Sequence, residues 1–405
     1  MIPLDDALAY VLSLASSLAP QSFTLDELHG LVLTEPVVSS EAIPPFDNTA
    51  MDGFAVRAVD VAGAPVELAV IGTVAAGTVA TTELDAGEAY RIMTGAPVPP
   101  GADAVVMVEW TEPVAGSDRA RVTITRPVPV GNHIRPAGDD IGVGDQVLPA
   151  GTTVTPAVLG VLCTLGVTTA HATPRPRVGV CSTGDELVEP GRPVGPGQIR
   201  DSNRRTLLAM VAAAGATPVD LGCCPDNEAA IESMLRGGIE RCDLILSSGG
   251  VSMGDFDFVK VALDRIGDMR WMQVAIRPAK PLAAGTVTAS DGRPVPVVGL
   301  PGNPVSSVVS FELFARPLIG RLAGRPATDR TVAAVAADGF ARRADGKIHF
   351  VRVVSERGDD GAPVVRSSGG QGSHQTAALA RADALAVVPD GDGIAPGDSV
   401  LIIPL

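Results

Sequence analysis

Three short apolar runs between Val178 and Ser307 each end in a turn of Gly, Ser, Thr, Asn or acidic residues, and this repetition constrains the fold more than any other feature. The first reads Arg177-Val178-Gly179-Val180-Cys181-Ser182-Thr183-Gly184-Asp185-Glu186-Leu187. The second is Leu244-Ile245-Leu246-Ser247-Ser248-Gly249-Gly250-Val251-Ser252-Met253-Gly254-Asp255-Phe256-Asp257. The third is Val297-Val298-Gly299-Leu300-Pro301-Gly302-Asn303-Pro304-Val305-Ser306-Ser307. Apolar runs bounded by turn signals and alternating with helical patterns predict the buried strands of a parallel α/β sheet. Such sheets bind ligands beyond the carboxyl ends of their strands, where these turns lie. Glycine and serine offer backbone N–H groups and hydroxyls to an anion, and acidic residues can hold a divalent metal. The segment reads as a site for a phosphate-bearing ligand.

With 405 residues there is room for roughly two to four domains. An apolar share of 46% against 19% charged residues indicates a packed, globular chain. A formal charge of −15 and 3% aromatics argue against nucleic-acid binding and against an anionic membrane surface. Five cysteines without C-x-x-C spacing imply free thiols in a reducing compartment. Two acids and no base precede the first apolar stretch, which is wrong for a secretory signal. No apolar run approaches the roughly 20 residues that span a bilayer. The expected location is cytoplasmic.

Leu4, Leu8, Val11, Leu12, Ala15 and Leu18 form one helical stripe, predicting a packing helix over 4–18. From Glu35 to about Pro136, β-branched runs split by Gly and Pro predict a β-rich module. A helix is expected from Pro156 to Leu165. Beyond the linker Thr173-Pro174-Arg175-Pro176, helices are expected from Ser202 or Asn203 to Ala214, Asp226 to about Arg236, and Pro304 to about Arg321. After Gly324-Arg325-Pro326 short strands return, with one short helix opened by Ser373.

Gly250-Val251-Ser252-Met253-Gly254 has the spacing of a nucleophile elbow, but the strand already ends at Ser248-Gly249, four residues too early for that corner. The five histidines are scattered, which disfavours zinc. Walker A and G-x-G-x-x-G patterns are absent. Single acids at turns are ordinarily caps, and Asp226 is expected to cap its helix. Glu186 and Asp257, on two strand-end turns, are the pair suited to Mg²⁺, which takes one or two carboxylates plus phosphate oxygens. Arg277 and Lys280 offer two cations beside stiffening prolines, an oxyanion clamp or a solvated loop.

Taken together, Asp47-Asn48-Thr49-Ala50-Met51-Asp52-Gly53-Phe54-Ala55, Arg91-Ile92-Met93-Thr94-Gly95-Ala96-Pro97, Ser182–Leu187, Asp201-Ser202-Asn203-Arg204, Ser247–Gly254 and Leu300–Ser306 occur in one order along the chain. This resembles the molybdopterin molybdenumtransferase family (MoeA, related to the E domain of gephyrin) from end to end. The resemblance implies molybdenum cofactor synthesis, in which molybdate enters adenylylated molybdopterin with Mg²⁺-dependent release of AMP. It implies a doubly wound parallel α/β domain over 174–325, a β-rich domain over 45–136, an elongated linker domain from 1–44 and 137–173, and a C-terminal β-barrel over 326–405.

The same resemblance implies a homodimer whose site joins the α/β domain of one subunit to the β-rich domain of the other. Glu186 and Asp257 then hold Mg²⁺ and the adenylate phosphate, Asp52 and Thr94 come from the partner, and Asp140 and Asp226 are further acidic site positions. Ser182, Thr183, Gly184, Gly249, Gly250, Pro301 and Pro304 line the substrate turns. Ser252, Arg277, Lys280 and Ser306 are molybdate-proximal, joined by Arg352 and Ser373. Arg277 and Ala279 stand where the family has lysine and glycine, and Gln273 where some members carry another lysine. Rival readings are molybdopterin adenylyltransferase, whose fold resembles residues 177–325 alone, and a scaffold without turnover. An adenylyltransferase and molybdoenzyme maturation proteins are the partners such an enzyme would meet.

Overall fold

The computed structural model describes residues 1–114, 120–251, 258–358 and 361–405. The chain forms two compact units, one of Met1–Thr34, Thr153–Thr155 and Ala170–Leu405, the other of Glu35–Thr152 and Pro156–Thr169.

In the first unit, helix α1 (Leu4–Ser13) buries Ala7 and Val11. The apolar stripe predicted a helix running on to Leu18. Instead the helix ends at Ser13, and the Leu18 N–H donates to the Leu322 carbonyl at 2.9 Å. Leu14, Ala15 and Leu18 still pack on the same core, so the stripe recorded burial rather than helix length.

Strands β1 (Arg177–Thr183), β2 (Thr217–Cys224) and β3 (Leu244–Ser248) follow, with helices α2 (Asn203–Ala213), α3 (Glu228–Ile239) and α4 (Phe258–Ile266). Next come β4 (Gly267–Gln273), β5 (Ile276–Arg277), β6 (Pro281–Thr288) and β7 (Pro294–Leu300). Helices α5 (Pro304–Ser310) and α6 (Arg316–Leu322) close the segment. The sheet order is β2-β1-β3-β7-β6-β4. The first four strands are parallel and β6 and β4 antiparallel, so the predicted parallel sheet carries an antiparallel edge.

Both faces are covered, which explains why the strands read as apolar runs without alternation. Val178, Leu244, Leu246 and Val298 meet Leu207 and Val211 of α2 and Val305 and Val309 of α5 on one face. On the other, Cys181, Ile245 and Val297 meet Ile231 and Leu235 of α3 and Val259 and Leu263 of α4. The fold is doubly wound. The single helix expected from Pro304 is interrupted by a π-helical segment, Phe311–Ala315, where buried Glu312 accepts from Arg316 at 2.6 and 2.8 Å and from Arg330 at 2.5 Å.

Strands β8 (Val332–Ala336), β9 (Ile348–Arg357), β10 (Pro363–Ser367), β11 (Ala384–Val388) and β12 (Ser399–Pro404) complete the unit, with the short helix α7 (Thr376–Arg381). Their order, β9-β10-β8-β12-β11 and back to β9, closes a five-stranded barrel, which leaves no free edge among them. Strand β5 pairs in parallel with its start, Ile276 with Ile348 and Arg277 with His349.

The second unit holds a six-stranded sheet ordered Ala104–Met107, Gly53–Val56, Glu88–Ile92, Val66–Val74, Arg121–Ile124 and Thr111–Pro113. Adjacent Ala55 and Val56 fall in different clusters, one with Tyr90 and Val105, the other with Leu68 and Val106, so Gly53–Val56 and its neighbour Ala104–Met107 are buried on both faces. Among the described residues, no helix is long and apolar enough to cross a membrane.

Candidate active site

The carboxyl ends of β1, β3 and β7 lie side by side, as the sheet order requires. Gly249 donates to the Leu300 carbonyl at 3.0 Å, joining the β3 and β7 turns. Gly249 and Gly250 both have positive φ, +97° and +69°, and a Cβ on Gly250 would lie 2.3 Å from Val259 Cβ. Any side chain at Gly250 would break this double turn. With Val251, Gln273, Lys280, Pro281, Pro301, Gly302 and Asn303, these glycines line a cavity of about 480 Å³. Among the described residues its lining has glycine turns and the Lys280 ammonium and no carboxylate, a lining suited to an anion.

Beside it, the β1 turn is acidic. A Cβ on Gly184 would lie 2.4 Å from Glu186 Oε2, so the bare Gly184 lets that carboxylate fold back over the turn. Asp185 Oδ1 accepts from the Asp226 amide at 3.1 Å, bringing the β2–α3 turn to the same place. Asp226 does not cap α3. Asn227 does, its Oδ1 accepting from the Ala230 amide at 3.0 Å, and the exposed Asp226 carboxylate is spared that task. Among the described residues no three His, Cys, Asp or Glu side chains converge as a metal cage. A Mg²⁺ held by one or two carboxylates and substrate phosphate needs no such cage, so Glu186 fits that role. Its expected partner Asp257, and Ser252, lie outside the described residues.

Ser182 serves from beneath rather than in the cleft. It is 1% exposed and donates to Asp201 Oδ2 at 2.5 Å. Asp201 is held in turn by the Arg204 amide at 3.2 Å and Nε at 3.0 Å. Arg204 also donates to Asp220 at 2.5 and 2.6 Å and to Glu189. Burial alone would lower the Arg204 pKa. Bonds and charge from Asp220 and Asp201 outweigh it and raise the guanidinium above its ordinary value. Asn203 donates from Nδ2 to Ser248 Oγ at 2.8 Å and to the Gly302 carbonyl at 2.7 Å. Asp201, Asn203 and Arg204 stood in a recognised motif but not among the expected site residues. Their partners lie on distant strands, so no local signal in the sequence marked them.

The two expected cations of the clamp line different cavities. Lys280 faces the glycine turns, whereas Arg277 lines a space of about 590 Å³ with Arg342, Arg343, Asp345, His349 and Gln371. Residues three apart diverge here because β5 joins the barrel strand β9 while Lys280 precedes β6. Ala279 between them is buried with φ +75°, the left-handed region that favours glycine.

From the barrel, the Ser373 carbonyl accepts from the Val305 amide at 3.1 Å, placing the 367–375 loop at the first turn of α5 beside Pro304 and Ser306. Arg352 is 1% exposed, and it donates to the carbonyls of Gly370 at 2.5 Å and Gly372 at 3.2 Å. Its Nε has no partner among the described residues, and burial lowers its pKa. A guanidinium buried against carbonyls alone lacks a counter-charge.

Asp52, Thr94 and Asp140 belong to the second unit. Thr94 donates to Asp52 Oδ1 from its amide and its hydroxyl, each at 2.6 Å. The hydroxyl first and the amide second hold the Asp52 carboxyl below the usual range. The exposed Asp140 follows Asp139 in a loop tied to Ile43, whose carbonyl accepts from the Asp140 amide at 3.0 Å.

A doubly wound domain with a cavity among its strand-end turns, joined to a closed barrel, defines a multidomain α/β protein with a strand-end ligand site, and comparison with known proteins narrows it. Residues 2–166 match the MoeA N-terminal region (domain I and II), 179–321 a probable molybdopterin binding domain, and 333–405 the MoeA C-terminal region (domain IV). Molybdopterin molybdenumtransferase of Haemophilus influenzae is 35% identical over 100% of this chain and 98% of its own length. Molybdopterin molybdenumtransferase 2 of Mycobacterium tuberculosis is 41% identical over 92% of this chain and 91% of its own. The crystal structure of the molybdopterin biosynthesis MoeA protein of Pyrococcus horikoshii superposes with a TM-score of 0.82 at 28% identity, covering 100% of both chains. The chain belongs to the molybdopterin molybdenumtransferase (MoeA) family, enzymes of molybdenum cofactor biosynthesis.

Proposed function

We propose that this protein inserts molybdate into adenylylated molybdopterin and releases AMP, using Mg²⁺, as a homodimer in which the partner's Asp52 and Thr94 complete each site. The observation that carries the reading is the buried, uncompensated guanidinium of Arg352, next to a loop bonded to the first turn of α5. In a chain of net charge −15, a buried cation without a carboxylate partner calls for an anion. Lys280, which lines one cavity with the Gly249–Gly250 turn, supplies a further charged donor to a tetrahedral oxyanion.

Glu186 and Asp257 would be the carboxylates that hold Mg²⁺ with the adenylate phosphate, and Asp226, whose amide donates to Asp185 on the Glu186 turn, would add a further acidic group. Mg²⁺, when bound, supplies positive charge at the phosphate oxygens. The chain's own groups then orient the substrate and stabilise developing negative charge through the turn N–H groups.

Lys280→Ala tests the reading. A charge-assisted hydrogen bond is worth about 1.5–3 kcal/mol, so half-saturating molybdate should rise roughly tenfold to a hundredfold. Binding of adenylylated molybdopterin should change much less. An unaltered molybdate dependence would place the oxyanion elsewhere. For the shared site, inactive Asp52→Ala and Glu186→Ala subunits should regain activity when exchanged into heterodimers, and no recovery after verified exchange would remove Asp52 from the site.

A further inference from the structure

We propose that Asn203 is a positioning residue for the oxyanion cavity, acting within a brace, Asp201–Arg204, that is bonded to the carboxyl ends of β1, β3 and β7 and to the middle of β2. Asp201 holds Ser182 on β1 at 2.5 Å. Asn203 holds Ser248 on β3 at 2.8 Å and Gly302, just past β7, at 2.7 Å. Arg204 holds Asp220 on β2 at 2.5 Å. In the sheet these strands are consecutive, β2-β1-β3-β7. One tetrapeptide at the start of α2 therefore links the carboxyl ends of β1, β3 and β7 and anchors itself on the middle of β2.

Asn203 holds the most consequential position in the brace. A carbonyl oxygen can only accept, so the Gly302 contact requires the amide N–H₂ to face the turns. One –NH₂ group thereby fixes the last residue before Gly249-Gly250 and the middle of the Pro301–Asn303 turn. At their base the turns already touch, since the Gly249 amide donates to the Leu300 carbonyl at 3.0 Å. The lining of the 480 Å³ cavity comes from these same turns and excludes Asn203 itself, so Asn203 acts through them. A tetrahedral oxyanion held by opposed N–H groups is sensitive to the gap between those groups. Fixing the gap makes Asn203 a determinant of anion size selectivity, molybdate against the smaller sulfate. This rests on the reading of the cavity as the molybdate site.

The test uses Asn203→Asp, which keeps the shape but sets an acceptor against the Gly302 carbonyl, and Asn203→Ala, which removes both bonds. Molybdate and sulfate binding are measured by equilibrium dialysis, amide hydrogen exchange at Gly249 and Gly302 by NMR, and AMP release by turnover. Both variants should weaken molybdate at least about tenfold, narrow the molybdate-to-sulfate ratio and accelerate exchange at the two glycines. The kcat at saturating molybdate should stay within about twofold, a split that general loss of structure would not give. If an active wild type shows these effects in neither variant, the brace proposal falls and the functional reading stands. If exchange and the anion ratio shift as expected while the wild type releases no AMP, the brace stands and the functional reading falls.

Discussion

Thr94 donates twice to one oxygen of Asp52, from its hydroxyl and from its amide, both at 2.6 Å. Neighbouring bonds lock the two turns together, with the Gly95 amide donating to the Thr49 carbonyl at 2.9 Å and the Thr49 amide to Ala96 at 3.1 Å. Asp52 is thus presented as an oriented carboxylate on the bend between Asn48–Thr49 and Gly53–Val56, two strands that pair in different sheets.

Thr94→Val removes the larger of the two bonds. Because the folded-state pKa of Asp52 is depressed, its contribution is present above the unfolded value and lost as pH falls through the folded one. The variant should move the Asp52 titration upward, toward its ordinary value, as read by carboxyl-carbon NMR. An unchanged midpoint would mean that the Thr94 hydroxyl does not bond this carboxylate in solution.

Arg204→Met should be among the most destabilising substitutions in the α/β domain. It leaves Asp201, 2% exposed, without its cation, and breaking a buried pair costs about 3–5 kcal/mol. Asp220 adds a pH dependence of known sign. Burial would raise its pKa, but Arg204 and the Gly222 amide bring it below the ordinary value. That stability is lost as pH falls through the depressed pKa, so the wild type should lose more stability than the variant on acidification. Thermal melts at pH 7 and pH 3 measure both effects.

Ala279→Gly should stabilise the protein. A left-handed alanine costs about 1–2 kcal/mol, and glycine gives back about 0.5–1 kcal/mol in chain entropy. The expected gain is about 0.5–1 kcal/mol by denaturant titration, and Ala279→Val should go the other way. A loss of stability in the glycine variant would contradict the φ of +75°.

Thiol labelling should divide the five cysteines. Cys163 and Cys223 are exposed and should react in the native state, whereas Cys181, Cys224 and Cys242 should react only on unfolding. Burial pushes the Cys181 thiol up to about 12, so almost no thiolate exists at neutral pH. Cys223 should lag behind Cys163, because partial burial raises its pKa as well. Native-state labelling of Cys181, read by mass spectrometry, would overturn its placement in the sheet.

Short-range chemistry was legible in the amino-acid order. Runs such as Val178–Cys181 and Leu244–Leu246, ended by Gly and Ser, gave strands with turns at their carboxyl ends, because burial on both faces demands unbroken apolar side chains. Asn303-Pro304 marked the start of α5 because proline suits the first helical turn. The order of six motifs identified the family. What depends on non-local partners was not legible. The stripe at Leu14–Leu18 looked helical because burial, not conformation, imposes the spacing. Arg277 and Lys280 looked like one clamp, since sequence distance cannot reveal that β5 leaves the α/β sheet to join a barrel strand more than seventy residues away. The roles of Asp201, Asn203 and Arg204 exist only once strands from distant parts of the chain lie side by side, where a hydrogen bond can join residues 99 positions apart. Local pattern therefore determined which elements form, and the long-range pairing of those elements decided which side chains share a site.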